Sequence, residues 1–441
     1  MSLLEITIAF AILFSTLSGM ILLVYLDQQW LMTEPIRLTA LSRIDTIISY
    51  ERQLAQNNFD AVVASTSIED IYIEKIEVSL IKNDLKKIIV TLSWPPRGYL
   101  RGGQLSETAT VADWSAELQN PTCHIGQTNN QFSSFVLQSS QLLSTSTTIT
   151  DIEARHNILY ITADSATKSK NDFYIIDASD TKHPKILLQI DTGPGLEALA
   201  LHDNYAYVAN ASVNGQLQII DVSDTNHPIL KKTYKLPGVY SDSGSVGNSI
   251  YYHQGFVYLG LKKSSAPELH VIDVSDPLNP KEVGQWEANT TIHSIIANNN
   301  IVYIASPDDA ELILLDSHDL SNINKISSWN APGSSGNGKS LYQDGQTIYL
   351  GRTLGNGEFS ILDVASSTEI KSLLTLSLKT SVEDILIAST TAFLATLDTA
   401  KQFQVWNVTD KARPILESSI KLAASPVALA CDGQTIYIAT K

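Results

Sequence analysis

Leu217-Gln-Ile-Ile-Asp221-Val-Ser-Asp224 is an apolar run that ends in an aspartate and a short polar turn. Such an isoleucine-rich run predicts a buried strand, and Asp and Ser suit the turn because they hydrogen-bond nearby backbone N–H groups. The pattern returns four more times, and once with an amide in place of the acid. These other runs end at Asp177, Asp273, Asp316, Asp363 and Asn407. Successive copies lie 43 to 52 residues apart, so the chain is predicted to consist of structural repeats whose aspartates hold turns.

Each repeat also contains an earlier strand that is centred on an aromatic residue. The central residues are Tyr160, Tyr207, Tyr258, Tyr303, Tyr349 and Phe393. Pairs such as Asp203-Asn204 and Gln254-Gly255 precede most of these strands and tolerate the positive φ that a tight hairpin needs. A period near 45 residues with several strands per repeat is typical of β-propeller blades.

The two ends of the repeat region complement each other. Residues 426–438 supply only the inner strands of a last repeat, whereas residues 132–137 form an apolar strand that has no inner strands of its own. Together they are predicted to complete one blade, which removes two exposed sheet edges. Residues 124–441 are therefore expected to form a seven-bladed β-propeller, with six whole blades and one composite closing blade.

The order of apolar strand, Asp, Val-Ser-Asp and Pro resembles the LVIVD repeat family. The resemblance is plainest at Asp221 to Asp224 with Pro228, and at Asp273 to Pro277 with Pro280. It implies the same propeller fold. The longer gap before Asp273 indicates an insertion around residues 240–248, which is a candidate contact for a ligand.

The chain has two cysteines, one on each side of the predicted closure. Cys123 lies just before the outer half of the composite blade and Cys431 lies within its inner half. A disulfide between them would lock the ring, and the chain-entropy account allows it roughly 5 kcal/mol at most. Two buried free thiols are the alternative.

The N-terminus carries a second pattern, Met1-Ser-Leu-Leu-Glu5 followed by an apolar run to residue 26. As a helix this run would be roughly 37 Å long, enough to span a bilayer. Glu5 would need a partner, because an unpaired carboxylate in lipid is costly. The pattern resembles the mature N-terminus of type IV pilins and pseudopilins, although Leu22 stands where that family usually has a proline. The resemblance implies leader cleavage by a prepilin peptidase, N-methylation of Met1, and pairing of Glu5 with the Met1 amine of a neighbouring copy.

Helical spacing of apolar residues continues beyond residue 26 and stops near residue 58. Residues 59–123 alternate as strands and turns and predict a small β-rich head. The expected fold class is therefore α+β and then all-β. Residues 1–58 would form a long pilin-like helix with residues 1–26 in a membrane or filament core, followed by the head and the propeller.

The sequence contains little that points to chemistry. It has no nucleophile–base pair, no glycine-rich phosphate loop and no His–Cys metal cluster, so we expect no catalytic residue, cofactor or metal. His183 and His227 occupy the same place in consecutive repeats, which favours a structural role. A net charge of −16 argues against nucleic acid as a partner.

These patterns lead to a non-enzymatic structural protein, the subunit of a type IV pilus-like filament that displays its propeller outside. Its partners would be copies of itself, the inner membrane before assembly, and the prepilin peptidase, assembly ATPase and platform protein. It would end in an extracellular pilus, and the propeller would be free to bind a surface or glycan. A minor or tip pilin acting as an adhesin, a pseudopilin of a type II secretion system, and a membrane-anchored propeller that never assembles remain open.

Overall fold

A computed structural model describes the chain in segments. They are residues 39–44, 46–48, 50–51, 62–69, 71–82, 85–96, 103–112, 123, 143, 147–164, 170–239, 244–298, 300–307, 310–333 and 336–441. The chain divides into two compact units, Met1–Pro121 and Thr122–Lys441.

The first unit contains one antiparallel four-stranded sheet in the order β1-β2-β3-β4. The strands are β1 (Ser65–Glu69), β2 (Tyr72–Lys82), β3 (Leu85–Trp94) and β4 (Gly103–Ala112). Their alternating sequence places Ile88, Val90 and Leu92 on one buried face. Ala40, Ile44 and Ile48 pack into the same cluster from a short helical segment. Arg43 pairs with Glu74 of β2 at 2.6 Å beside this core.

The predicted fold class is wrong in its helical part. Among the residues described, helical backbone in the first unit lies only between residues 39 and 51, and the regular structure after it is eight β-sheets and one short 3-10 helix. The physical reason is that the apolar row Ala40, Ile44 and Ile48 packs against the sheet. A row at this spacing indicates which face of a helix is buried and does not fix how far the helix extends.

The predictions that depended on a long helix are corrected with it. In the part of the chain that the structure describes, no helix has the length and apolar character needed to cross a bilayer. The pilus-subunit role, its pilin and anchored alternatives, and the inner-membrane location are therefore wrong on this structure. Met1, Glu5 and residues 1–26 lie outside the described residues.

The second unit is a ring of antiparallel sheets that follow one another along the chain. Six of them have four strands each, and we call them blades 1 to 6. The first strands are β5 (Thr148–Arg155), β9 (Leu196–His202), β13 (Gly247–His253), β17 (Ser294–Asn298), β21 (Gly338–Asp344) and β25 (Val382–Ala388). The second strands are β6 (Ile158–Asp164), β10 (Tyr205–Asn210), β14 (Phe256–Leu261), β18 (Ile301–Ala305), β22 (Thr347–Arg352) and β26 (Thr391–Thr396).

The outer half of each blade holds the repeat that opened the sequence analysis. The third strands are β7 (Phe173–Asp177), β11 (Leu217–Asp221), β15 (Leu269–Asp273), β19 (Leu312–Asp316), β23 (Phe359–Ser366) and β27 (Phe403–Asn407). The fourth strands are β8 (Lys185–Ile190), β12 (Ile229–Tyr234), β16 (Lys281–Trp286), β20 (Asn324–Trp329), β24 (Glu369–Leu376) and β28 (Ile415–Ile420). A one-turn 3-10 helix, Leu320–Asn322, precedes β20 and is capped by Asp319.

The ring closes through a seventh sheet, blade 7. It comprises β29 (Pro426–Asp432) and β30 (Thr435–Thr440), and β29 packs between β25 and β5. Cys123 forms a parallel bridge with Gly433 and a disulfide with Cys431, whose Cα atom lies 5.3 Å away. The strand predicted at residues 132–137 lies outside the described residues.

Apolar side chains fill the spaces between neighbouring blades. Between blades 1 and 2, Phe173 and Ile175 pack with Leu199, Val208 and Ile220. Each buried aliphatic or aromatic side chain contributes about 1.5–3 kcal/mol, so these clusters hold the blades together face to face. The first strands are thereby fixed around a central channel.

Candidate functional site

The repeat aspartates each hold the turn that follows the third strand. Asp177, Asp221, Asp273, Asp316 and Asp363 accept a hydrogen bond from the backbone N–H two residues on, at 2.9–3.0 Å. Asn407 accepts the equivalent bond with its amide oxygen. These side chains are distributed one per blade and do not come together in one site.

A further hydrogen-bonded turn contains the repeated histidines. Asp180 bonds His183 and Asp224 bonds His227, each through Nδ1 at 2.9 Å. The hydrogen bond from His183 lowers the pKa of Asp180, and His227 lowers that of Asp224 in the same way. Both histidines are exposed on blade corners, so they stabilise turns and do not form a catalytic pair.

In each of blades 1 to 6, a buried polar residue directly precedes the third strand. The sequence patterns did not identify these residues. The six residues are Asp172, Gln216, Glu268, Glu311, Glu358 and Gln402. Each accepts the backbone N–H of a residue that lies 20 or 21 positions later, where the chain leaves the fourth strand for the next blade. Their shared position is the signal that an alignment of the repeats would have revealed.

One of these acids carries a buried ion pair between two blades. Arg352 of blade 5 is fully buried and donates through Nη2 to Oε1 of Glu311 in blade 4. Its Nη1 also donates to the carbonyl oxygen of Asn356 at 2.7 Å. The pair therefore holds blades 4 and 5 together.

The first strands run in the same direction around the channel. Near the start of β5, the Thr150 hydroxyl donates to the carbonyl oxygen of Leu196 at the start of β9, at 2.7 Å. At the end of β5, Arg155 donates to the carbonyl oxygen of Asp203, directly after β9, at 2.7 Å. The ends of all first strands thus meet at one end of the channel, which we call the hairpin mouth.

Three carboxyl groups lie within the channel near its closure. Asp151 accepts the N–H of Leu199 in the next blade at 2.9 Å, and Asp384 accepts that of Leu429 in the same manner at 2.7 Å. Burial raises the pKa of Asp151 to about 6 and that of Asp384 to about 7. Burial, and then repulsion by these two acids, raises the pKa of Glu153 to about 8, although Arg155 opposes the rise.

Aromatic rings form a stack at the hairpin mouth between blades 2 and 3. The ring of His202 stacks on Tyr252 with centroids 4.0 Å apart and planes 16° apart. Tyr252 stacks in turn on Tyr207 at 5.5 Å. Tyr207 is buried, whereas 26% of the His202 side chain is exposed. Burial, opposed by Asp203 and assisted by Arg155, lowers the pKa of His202, which favours the neutral imidazole.

Two buried polar atoms at the same mouth have no hydrogen-bond partner among the described residues. They are Nε2 of His253 at the end of β13 and Oδ1 of Asn298 at the end of β17. Buried polar groups are normally satisfied, so such atoms invite a water molecule or a ligand hydroxyl. The hairpin mouth therefore combines a partly exposed aromatic stack with unsatisfied polar groups.

Sequence reasoning did not identify this arrangement. Its candidate contact, the insertion around residues 240–248, is described only from residue 244, and Asn248 there donates to the carbonyl oxygen of Ile292 at the opposite end of the first strands. His202 and Tyr252 belong to different repeats, so only the three-dimensional ring brings them together. Within the described segments, no group of three or more His, Cys, Asp or Glu side chains is arranged to hold a metal ion.

Comparisons with known proteins agree with the ring of sheets. Virginiamycin B lyase from Staphylococcus aureus, crystallised with quinupristin, superposes with a TM-score of 0.52 at 14% identity over 70% of this chain and 96% of that one. A putative 6-phosphogluconolactonase from Bacteroides fragilis gives 0.53 at 11% identity over 85% of this chain and 99% of that one. Likeness at this level of identity shows the fold alone.

Sequence comparison gives one distant relative and a family. A Methanocaldococcus jannaschii protein, MJ1554, is 25% identical over 122 residues, which cover 28% of this chain and 19% of that protein. The family profile described as "Beta propeller domain" matches residues 77–392, which is more than half of the chain. The predicted propeller is thus confirmed, and the chain belongs to the Beta propeller domain family.

Proposed function

We propose that this chain is a non-enzymatic binding protein whose propeller holds a ligand at the hairpin mouth. The observation that carries the proposal is the stack of His202 on Tyr252, which remains partly exposed where the first strands end. Propellers present a rigid ring of loops around a channel, and ligands of such folds gather where aromatic and polar side chains converge.

The channel carboxyls support a role without catalysis. Asp151 and Asp384 each accept two backbone N–H groups, including one from the next blade. These bonds hold first strands together, so neither acid is placed to exchange protons with a substrate. The repeat aspartates and the histidines His183 and His227 hold turns.

Fold likeness alone does not alter this proposal. A lyase and a putative lactonase share the propeller architecture, but a fold hosts many functions and the site decides among them. We therefore keep the sequence-based expectations of no catalytic step and no nucleic-acid partner as part of the proposal. The net charge of −16 supports the second expectation.

The test is a binding screen with the full chain. Saccharides, amino acids, nucleosides and short peptides are tested by saturation-transfer NMR, and each hit is measured by calorimetry. We expect at least one class to bind the unmodified chain, and His202→Ala to weaken that binding roughly tenfold.

The matched control is His227→Ala, which removes a histidine from the same blade at an exposed corner, where it bonds Asp224 of its own turn. It should bind like the unmodified chain. Equal binding by the unmodified chain and His202→Ala, or no binding from any class, would overturn the proposal.

A further inference from the structure

The hairpin mouth offers a ring-shaped ligand an extended aromatic surface. His202, Tyr252 and Tyr207 stack in sequence, with centroid separations of 4.0 and 5.5 Å, across the join between blades 2 and 3. Tyr252 is held in place because its hydroxyl oxygen accepts the N–H of Gly255 at 3.0 Å. A surface fixed in this way is preorganised, so binding to it loses little side-chain entropy.

The polar groups around this surface suit hydroxyls. The hairpin turns at this mouth carry exposed amides, namely Asn157, Asn204, Gln254, Asn300, Gln346 and Gln434. An amide offers both a donor and an acceptor, and so does a hydroxyl. The unsatisfied atoms Nε2 of His253 and Oδ1 of Asn298 lie in the same region. The imidazole nitrogen can donate or accept one bond according to its tautomer, and the amide oxygen can accept one.

The charges at the mouth favour a ligand without net charge. A net charge of −16 repels a polyanion. Arg155 is fixed at the mouth by its bond to the carbonyl oxygen of Asp203, and the Asp203 carboxylate beside it is exposed, so charges of both signs are present at the mouth. Burial lowers the pKa of His202, which favours the neutral imidazole on the stacking surface.

We infer that the ligand at the hairpin mouth is a neutral saccharide, with one sugar ring on the His202–Tyr252 stack and its hydroxyls on the surrounding amides. This inference rests on the proposed function and adds the ligand class. The apolar face of a sugar ring packs on an aromatic side chain, while its rim of hydroxyls needs groups that both donate and accept.

The test uses defined probes with the full chain. Cello-, malto- and chito-oligosaccharides of two to four units are titrated calorimetrically, beside polygalacturonate as an anionic glycan and a lysine-rich peptide as a cation. A glycoprotein that bears neutral glycans is compared with the same glycans after release, which separates a macromolecular source from free sugar. We expect a neutral oligosaccharide to bind, with roughly tenfold weaker binding for His202→Ala and a smaller loss for Asn298→Ala.

One control variant and one control measurement keep the result interpretable. His227→Ala should bind normally, and all variants should retain the thermal midpoint of the unmodified chain within a few degrees. If only the anionic glycan or the peptide binds and His202→Ala weakens it, the saccharide class is wrong while the proposed function stands. If no neutral saccharide binds, or if its binding does not respond to His202→Ala, the saccharide class is wrong. The proposed function is also wrong only if the wider screen finds no ligand whose binding His202→Ala weakens.

Discussion

The Arg352 side chain shows how a single buried charge is tolerated in this ring. Its guanidinium has no exposed surface, and water is replaced by the Glu311 carboxylate and the carbonyl oxygens of Asn356 and Gly357. Such a pair adds little net stability compared with apolar residues, but losing one partner leaves a buried charge with no counterion.

Arg352→Met should therefore destabilise the propeller by about 3–5 kcal/mol, because the Glu311 carboxylate would remain buried without its partner. Urea unfolding followed by circular dichroism measures the change. Lys371→Met is the matched control, since its pair with Glu369 is exposed and 3.9 Å long, and it should change stability by less than about 1 kcal/mol. A loss for Arg352→Met no larger than that of the control would contradict this account.

Glu153 makes stability depend on pH in a definite direction. Its pKa is raised to about 8 in the folded protein, against an ordinary value of 4.5, because burial and the acids Asp151 and Asp384 disfavour its charge. The folded state then binds more protons than the unfolded state between about pH 4.5 and pH 8. Stability must fall as pH rises through this window.

Glu153→Gln should flatten this pH dependence. The amide has no charge to desolvate, and Asp151 and Asp384 do not repel it as they repel the Glu153 carboxylate. Between pH 5 and pH 9 the unmodified chain should lose on the order of 3 kcal/mol more stability than the variant. Chemical unfolding at a series of pH values tests this, with the exposed Glu369→Gln as the control. Parallel pH profiles for both variants would disprove it.

At the scale of the structural elements, the buried acid that precedes the third strand of a blade fixes the chain segment that leads to the next blade. In blade 5, Glu358 accepts the N–H groups of Leu378 and Lys379, which follow β24. Burial alone would raise its pKa, but these bonds and that from Gly355 outweigh burial and lower it. One side chain thus fixes the path from one blade to the next.

Glu358→Ala should lower stability by about 2–4 kcal/mol, because several buried N–H groups lose a charged acceptor. Glu358→Gln keeps one acceptor oxygen and should lose less. Glu369→Ala, in the same blade but exposed, should have almost no effect. Hydrogen exchange at Leu378 and Lys379 provides a local readout, which must increase in Glu358→Ala for the element to have this role.

The strands of the blades could be predicted because their signals are local. The runs that end at Asp221 and Asp273 combine apolar residues with turn chemistry, and the structure has β11 and β15 there. Glu268 and Glu358 gave no such signal, since an acid before an apolar run looks like a loop residue and its partner lies some 20 positions away. The His202–Tyr252 stack could not be predicted from the sequence either, because its two residues lie 50 positions apart.

The long helix was a wrong prediction of a different kind. Apolar residues every three or four positions indicate a buried helical face, and Ala40, Ile44 and Ile48 do form one. The same spacing does not say how far the helix extends on either side of that face. In this chain, a four-stranded sheet covers it.

For the whole molecule, stability depends on how the ring is closed. Three contacts join residues far apart in sequence at blade 7: the disulfide of Cys123 with Cys431, the bridge of Cys123 to Gly433, and the bond from the Asn157 N–H to Asp432. The last of these joins the first blade directly to the seventh. Closure therefore combines one covalent and two hydrogen-bonded links.

The covalent link should dominate, because it closes a loop of 308 positions and so restricts the unfolded chain strongly. Replacing both cysteines by serine should lower stability by up to about 5 kcal/mol in the chain-entropy account, with the blades themselves still formed. Chemical unfolding of the oxidised chain, the reduced chain and the double variant measures this. The reduced chain and the double variant should agree with each other, and reductant should leave the double variant unchanged. Equal stability of all three would mean that blade packing and the Asp432 contact alone close the ring.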